Sequence, residues 1–440
     1  MVSLMFLECF AITLDDVERF SMKNAAAILT SAVSRTDIDV LSRHLQNGLD
    51  VNARRADNGN TALHIAVFGD VHPKKMEMVK LLVEFGADID AKNNKLETPL
   101  YFAADFNHEE IGSLLIELEC ETNSEDSLAK SPLHLAVARR NSKVTEMLLQ
   151  YGLAVNQKCG REETTPLHVA VSVATGLEGE VHTIPHLLLQ HGADREAKNA
   201  LGETPLASAV ENYFGVFSLV EFLLLEGSNA DAKNKFGTTP LMKAVRNAFG
   251  PGHTDVVKVL FEHGSSVNTT DQYGRSPLHF IPPSADVKVC QLLLDYGADV
   301  NLADDNGETP LHVAASGNPE IVERLPQQGA HVGTLDKDNR CPLHAAAYVG
   351  DCRSVKLLIQ RGADVHLADS QGWSPLHFAA AAGNFDNTDI LIQHGSNVKA
   401  VDENGRTALH FAAKGGFMYL VELLVNHGSD INATDLRCTA

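Results

Sequence analysis

The chain has 440 residues, 44% of them hydrophobic, and its 57 Asp and Glu residues outnumber its 36 Lys and Arg residues to give a formal charge of −21. This acidic excess argues against nucleic acid or an anionic membrane as the main ligand, because both are bound through basic surface. A basic protein partner stays open, although acidic surface also serves simply to keep a long chain soluble.

Residues 1–24 precede any regular pattern, and we interpret this apolar segment as a cap. Met1–Leu14 is apolar enough to resemble a signal peptide, but it lacks a basic start and Glu8 interrupts it. No run of 18 apolar residues occurs in the chain, so we expect no membrane insertion. The seven cysteines are scattered and include no Cys-x-x-Cys pair, which favours a reducing compartment: the cytoplasm, with the nucleus as the alternative.

A tetrapeptide close to Thr-Pro-Leu-His then returns eleven times at intervals of 32 to 39 residues. The copies start at Thr61, Thr98, Ser131, Thr165, Thr204, Thr239, Ser276, Thr309, Cys341, Ser374 and Thr407. A fixed period in this range indicates a stack of repeated supersecondary units. Such arrays present long surfaces of similar units, so their usual task is to hold another molecule.

The unit Cys341–Ala368 shows what one repeat predicts. Pro342 suits the first turn of a helix, and the small Ala346 allows close approach of a neighbouring helix. A second helix carries Leu358 on its apolar face and ends at Gly362, and a polar turn leads to the next repeat. Each unit is therefore expected to be a helix, a tight turn, a second helix and a projecting loop.

This pattern resembles the ankyrin repeat. The clearest copies are Thr309–Ala315 and Ser374–Ala380, together with the Gly-Ala-Asp-Val-Asn run at Gly297–Asn301. The resemblance implies an all-α solenoid of antiparallel helix pairs with hairpin fingers along one edge. It also implies that the tetrapeptide histidine ties neighbouring loops together and that the threonine caps its helix.

We assign twelve repeats to residues 25–434. The first, Ala25–Ala53, is degenerate, because Arg43 and His44 replace leucines of later repeats, as suits a solvent-facing cap. Residues 435–440 read as the start of a truncated further repeat, which suggests a fragment or a gene model that ended early.

Prolines make the array irregular near 280–328. Pro282 and Pro283 replace the Ala-Ala stretch of one first helix, and Pro326 falls inside the second helix of the following repeat. Because an interior proline removes a backbone hydrogen bond and clashes with the preceding turn, it costs about 3 kcal/mol or more. We therefore hypothesise a hinge or stability minimum over Phe280–Gln328; the alternative is a local distortion without motion.

No motif for catalysis, a metal or a cofactor accompanies the repeats. There is no phosphate-binding loop, no Gly-x-Ser-x-Gly elbow and no zinc spacing with a glutamate. Eight of the twenty histidines stand at the fourth tetrapeptide position, where a residue needed once per repeat has a structural role. We therefore expect no enzyme.

Binding residues should depart from the repeat pattern and point outward, and large aromatic and arginine side chains contribute most at interfaces. Three finger aromatics lie beside a glycine, and the others fall at outward positions of first helices: Trp373, Tyr273 and Phe236, then Tyr348, Tyr213, Arg139, Arg140 and Arg246. Tyr348 with Trp373 is the best patch, and Arg139/Arg140 is a candidate anchor for a partner carboxylate. The alternative is that each aromatic packs on its neighbouring finger and stiffens the edge.

Asn301 and Asn432 lie in the context in which ankyrin repeats are hydroxylated on asparagine, although the same residue also stabilises the turn. Hydroxylation of both is therefore a hypothesis, and a purely structural role in the turn is the alternative.

The function we expect is a non-catalytic scaffold or adaptor that binds a protein partner through its finger tips and concave face. One alternative is the targeting arm of a larger protein, a ubiquitin-ligase adaptor or a channel, whose effector lies beyond Ala440. A second is an array segment of a latrotoxin-like secreted toxin.

Overall fold

The computed structural model describes residues 14–174, 181–211, 216–248, 253–349 and 351–436. Residues 1–13 of the expected N-terminal cap, 437–440 of the expected further repeat, and Tyr213 lie outside these ranges. Within them the fold is all-α, as predicted: helix pairs alternate with loops, and one isolated bridge joins Cys159 to Thr164. The chain divides into two compact units, Met1–Ser208 and Ala209–Ala440.

The first unit contains five helix pairs, and the first helices of successive pairs among these five pack on each other. The pairs are Leu14–Ser34 with Ile38–Gln46, Ala62–Val67 with Lys75–Glu84, Pro99–Asp105 with Glu109–Glu117, Pro132–Ala138 with Ser142–Gln150, and Pro166–Ser172 with Thr183–Gln190. The opening helix runs through residue 25, where the sequence places the start of the array. Within the described ranges, no helix combines the length and apolar character needed to cross a bilayer.

A sixth pair, Pro205–Ala209 with Val216–Leu225, begins at the boundary of the units, and six more pairs follow in the second unit. These are Pro240–Arg246 with His253–Glu262, the 3-10 turn Pro277–Phe280 with Val287–Asp295, Pro310–Ala315 with Pro319–Gln327, Pro342–Val349 with Cys352–Gln360, Pro375–Ala382 with Phe385–Gln393, and Ala408–Gly415 with Met418–Asn426.

The tetrapeptide explains where each first helix begins. Ser131 lies in extended backbone (φ −84°, ψ 165°), its hydroxyl accepts the His134 backbone N–H, and Pro132 follows as the first helical residue. The His134 ring in turn accepts a hydrogen bond from the Ser131 backbone N–H, which completes a capping box. The core is apolar, as predicted: Leu343, Ala346 and Leu358 of the repeat that begins at Cys341 are fully buried.

Neighbouring fingers are joined by backbone hydrogen bonds within each unit. In the second unit the Asp305 N–H donates to the Tyr273 carbonyl (2.9 Å), and the Glu403 N–H donates to the Gln371 carbonyl (3.1 Å). Gly372 has φ +79°, and a Cβ there would lie 3.0 Å from the Glu403 nitrogen. Glycine at this position therefore permits both the left-handed turn and the close approach of the next finger.

The two proline sites have different consequences. The first helix of the repeat that begins at Ser276 is reduced to the four-residue turn Pro277–Phe280, and Ile281 is already extended (φ −66°, ψ 117°). Pro326 lies inside the second helix, as the sequence places it, but it does not shorten that helix: Pro319–Gln327 is as long as the other second helices, and Ala330 still donates to the Leu325 carbonyl. Because Pro326 lies in the last turn, only one backbone donor is lost there. Both sites lie inside the second unit.

Candidate interaction surface

In the second unit, the residue at the base of each finger is bonded to the preceding repeat. We call the residue just before each capping Thr, Ser or Cys the finger-base residue. The histidine of the preceding repeat reaches its carbonyl: His279 reaches Glu308 (3.1 Å), His312 reaches Arg340 (3.0 Å) and His344 reaches Trp373 (3.2 Å). The expected tie between neighbouring loops is confirmed.

Hydrogen-bond chemistry fixes the tautomer of these rings. The Thr309 backbone N–H donates to Nδ1 of His312 (3.0 Å), so Nδ1 carries no proton and Nε2 donates to the carbonyl. Burial lowers the pKa of His312 and His344, and it lowers the pKa of His134 in the first unit to about 4. These rings are neutral at physiological pH, as a single-donor role requires.

At three fingers of the second unit the finger-base residue is an arginine paired with an aspartate four residues earlier. The Arg275–Asp271 distance is 2.7 Å, the Arg340–Asp336 distance is 2.8 Å and the Arg406–Asp402 distance is 2.7 Å. Each aspartate is nearly inaccessible at its side chain, and its other oxygen accepts backbone N–H groups of the finger. The arginine therefore neutralises a carboxylate on which the finger turn depends.

Glu308 departs from this arrangement. It occupies the finger-base position, and the residue four earlier is Asp304, whose Oδ1 accepts the Glu308 backbone N–H at 2.9 Å. In the described part of the chain no lysine or arginine forms an ion pair with either carboxylate, and the nearby Arg340 is held by Asp336 and Asp338. Burial, and then the charge of Asp304, raises the pKa of Glu308. Glu308 was not identified from the sequence, although an alignment of the finger-base residues would have shown it.

The candidate aromatics Trp373 and Tyr348 meet through a third ring, Phe378. The Trp373 and Phe378 centroids are 5.3 Å apart, and the Tyr348 and Phe378 centroids are 6.3 Å apart, both edge to face. Trp373 also contacts Phe411, at 4.3 Å, and lies under the Arg406 guanidinium, at 5.9 Å. Its indole N–H is covered and makes no hydrogen bond to any described residue. Tyr348 is 54% exposed, so this cluster has a buried end and an open end.

A groove of about 340 Å³ lies beside the open end of the cluster. Its lining combines the apolar and aromatic side chains of Ala345, Tyr348, Val349 and Phe378 with Glu308, Arg340 and Cys341. A depression of about 270 Å³ shares Glu308 with it and extends to Ile281 and Pro283. The first helix that ends early at Phe280 therefore leaves space that continues the groove.

The repeat geometry agrees with a family model for ankyrin repeats, which matches residues 29–126 and, in overlapping segments, 133–435. The chain belongs to the ankyrin-repeat family. It is similar to ankyrin repeat and SOCS box protein 11 of Danio rerio (46% identity over 54 residues, 12% of this chain and 16% of that protein). It is also similar to potassium channel AKT1 of Oryza sativa subsp. indica (39% over 80 residues, 18% and 8%) and to putative ankyrin repeat protein FPV233 of Fowlpox virus (36% over 76 residues, 17% and 14%). The matched regions span less than a fifth of each relative's length.

The other two finger aromatics of this ankyrin array do not join the cluster. Phe236 is 47% exposed, and its carbonyl accepts the Gln272 N–H at 2.9 Å. Tyr273 is 52% exposed and packs against the Arg275 guanidinium, 5.0 Å from its ring centroid. They occupy successive fingers, so they form a separate part of the same edge.

The arginine candidates are exposed, and two of the three already contact acidic groups. Arg139 pairs with Asp105 at 2.5 Å, and Arg140 adopts a left-handed conformation (φ 61°) at the end of the same helix. Arg246 pairs with Glu211 at 3.4 Å, and Glu211 also binds the buried Lys243 at 2.9 Å. A partner carboxylate at Arg139 or Arg246 would therefore compete with an existing ion pair.

The two asparagines that are candidates for hydroxylation differ in their surroundings. The Asn301 amide donates to the Gly329 carbonyl (3.0 Å), and its oxygen accepts the His331 N–H (3.0 Å), so it bridges two loops. Asn432 is exposed, and its backbone N–H donates to Asp430 (2.9 Å). Modification of Asn301 would act on a bridging group, whereas Asn432 is open to solvent.

Proposed function

We propose that this protein is a non-catalytic interaction scaffold and that its partner docks on the groove of the second unit. The observation that carries the proposal is the juxtaposition of Tyr348, Val349 and Phe378 beside a groove of about 340 Å³. Tyr348 and Val349 are each more than half exposed, and an exposed aromatic beside a concave surface is the usual anchor of a protein interface.

The rigid positioning of the groove supports this function. Histidines fix the backbone at Glu308, Arg340 and Trp373, and the Trp373–Phe378 contact fixes one wall of the cluster. A surface held by such bonds loses little conformational entropy on binding, which favours affinity. The partner therefore binds to a preformed site.

Quantitative affinity capture tests the proposal. The full chain, Tyr348→Ser and the control Tyr419→Ser are each used to capture proteins from an extract of the source cells. Tyr419 is 79% exposed on a second helix away from the groove. We expect a set of proteins that is lost with Tyr348→Ser and kept with Tyr419→Ser. Equal losses with both variants would contradict docking at the groove.

We propose as a second candidate that the array is the targeting arm of a longer adaptor or channel protein. The similarity to a SOCS box protein and to a potassium channel supports it, since the matched segments are small parts of both. Sequencing the transcript across its 3′ end tests this: an open frame into a further module supports it, and a stop codon after Ala440 contradicts it. The latrotoxin-like alternative stays a proposal, and a secreted native product would be its test.

Cytoplasmic placement is likewise a proposal. Its support is that Cys120, Cys159, Cys290, Cys341 and Cys352 are free thiols, which suits a reducing compartment. Imaging of the tagged full chain tests it.

A further inference from the structure

We propose that the groove selects partners through a basic side chain, with the arginine or lysine cation bound at Glu308, which Asp304 neighbours, and its stem lying on Tyr348 and Phe378. This inference rests on the proposed function and adds the chemistry of the partner. The charge and the aromatic lining of the groove supply its support.

Glu308 stands at the repeat position where three other fingers carry an arginine. Three finger-base residues are arginines that neutralise an aspartate four residues earlier, at Arg275, Arg340 and Arg406. At Glu308 the fold keeps the aspartate, Asp304, and replaces the cation with a second carboxylate. The position that an internal guanidinium fills at those three fingers is therefore complementary, at Glu308, to a cation from outside.

The charge around Glu308 is net negative. Its carboxyl group feels the negative charges of three neighbours, Asp304, Asp336 and Asp338. Arg340 is the one cation among these neighbours. Since Arg340 is engaged by Asp336 at 2.8 Å and Asp338 at 2.9 Å, a net negative charge is left at Glu308 and Asp304. A protein of formal charge −21 adds long-range attraction for a basic partner.

The groove also has an aromatic lining. Tyr348 and Phe378 line the same groove as Glu308. Long basic side chains cover apolar surface with their methylene stems, and guanidinium and ammonium groups are attracted to aromatic faces. A groove lined by both a carboxylate and aromatic rings therefore fits a basic side chain better than an acidic or purely aliphatic one.

The neighbouring depression offers a second, apolar position. Ile281 and Pro283 line it, and it shares Glu308, His312 and Ser316 with the groove. A peptide whose basic residue occupies the groove would place an adjacent apolar residue there. The expected recognition element is a short extended segment with one basic residue flanked by an apolar residue.

Selection of peptides tests the inference. A random peptide library displayed on phage is selected on the immobilised full chain, and single binders are made with a fluorescent label. Their affinities are measured by anisotropy at one fixed salt concentration. We expect the binders to share an arginine or lysine whose replacement by alanine weakens binding about tenfold or more, as for a charge-assisted contact.

Variants of the chain then locate the contact. Glu308→Gln should weaken binding about tenfold, and Glu308→Arg should abolish it, because the new side chain can pair with Asp304 as Arg275 pairs with Asp271. Glu308→Arg restores the pattern of the other fingers, so its loss of binding is not expected to reflect misfolding. The control Glu403→Gln removes one charge from an exposed site on another finger and should leave binding unchanged.

The outcomes separate the two proposals. Binders that are lost with Tyr348→Ala but need no basic residue, and that tolerate Glu308→Gln, overturn this inference and leave the groove as a docking site. Binders that tolerate Tyr348→Ala, or the absence of any binder, overturn both. Equal weakening by Glu308→Gln and Glu403→Gln shows general electrostatic attraction and also overturns the inference.

Discussion

The indole ring of Trp373 lies against the phenyl ring of Phe411, with the centroids 4.3 Å apart. The first residue belongs to the finger before the repeat that begins at Ser374, and the second belongs to the first helix of the repeat after it. Together with the Arg406 guanidinium, 4.8 Å from the Phe411 centroid, the contact joins successive repeats at their edge. The single tryptophan of the chain is therefore part of an interface between repeats.

Trp373→Ala should lower the free energy of unfolding by about 2 kcal/mol, less than for a fully buried ring because part of Trp373 is exposed. Trp373→Phe should cost far less, since it keeps an aromatic ring and removes the covered indole N–H that has no acceptor. Urea unfolding followed by circular dichroism measures both. The control Phe236→Ala, at an exposed finger site, should change stability by less than about 0.5 kcal/mol; a similar loss there would contradict a specific role for Trp373.

Acid should destabilise the array through the tetrapeptide histidines. Burial lowers the pKa of His134, His168, His279 and His312 below the ordinary value of 6.5, to about 4 for His134. The unfolded chain therefore binds protons that the folded chain does not, and stability present above pH 6.5 is lost as the pH falls toward 4. The urea midpoint should fall steadily over that window.

A pair of matched substitutions identifies the source of this acid sensitivity. His134→Gln should lower stability at pH 7.5 by about 1–2 kcal/mol, because the Thr164 carbonyl loses its donor, and should make the pH dependence shallower. His191→Gln changes an exposed ring that bonds only within its own helix, to Leu187 at 2.9 Å. Equal slopes for the two variants would show that the buried rings are not responsible.

Much of the fold was readable from the sequence because the signals are local and repeated. A threonine or serine before Pro-Leu-His fixes the helix start, as at Ser131, and the histidine tie follows from the family resemblance. The structure brings Tyr348 and Trp373 to one cluster, as their register implies, but their link is Phe378, which follows the tetrapeptide and reads as a core residue in the sequence. Which rings touch depends on side-chain directions that spacing does not give.

The parts that sequence reasoning did not reach depend on comparison between repeats or on three-dimensional space. Glu308 stands out only when the finger-base residues are aligned with the aspartates four before them. The depression at Ile281 and Pro283 exists because a helix ended early, whereas Pro326 has little effect because it falls in a last turn. The presence of a proline predicts the cost of a lost backbone hydrogen bond, but it does not predict the depression that a shortened helix leaves.

Neutralising Glu308 should stabilise the free protein. Burial and then Asp304 raise its pKa above the ordinary 4.5, so the folded state holds this proton more tightly than the unfolded state. The ionised form therefore costs stability at pH 7, and the cost disappears as the pH falls through the raised pKa to 4.5. Glu308→Gln should have a higher unfolding midpoint than the natural chain at pH 7 and no advantage below pH 4.5.

Two further variants make this measurement specific. Glu308→Arg should stabilise the protein by about another 0.5 kcal/mol through an ion pair with Asp304. Glu403→Gln, at an exposed site, should leave the midpoint unchanged. A Glu308→Gln variant that is less stable than the natural chain at pH 7 would show that its carboxylate has a stabilising partner.

The hinge hypothesis predicts that the segment after Phe280 is the part of the second unit least protected from amide hydrogen exchange. Between Phe280 and Val287 the backbone is not helical, Pro282 and Pro283 have no N–H, and Ala285 donates only to the Pro282 carbonyl within a turn. Segments with few regular hydrogen bonds open at low free energy. Amides of residues 281–286 should therefore exchange with deuterium faster than those of Pro310–Ala315, and limited proteolysis should cut within 280–328 first. Replacing both prolines by alanine, as in the other repeats, should slow the exchange there. Equal protection of the two segments in the natural chain would argue for a fixed distortion instead of a hinge, and so would first cleavage outside 280–328.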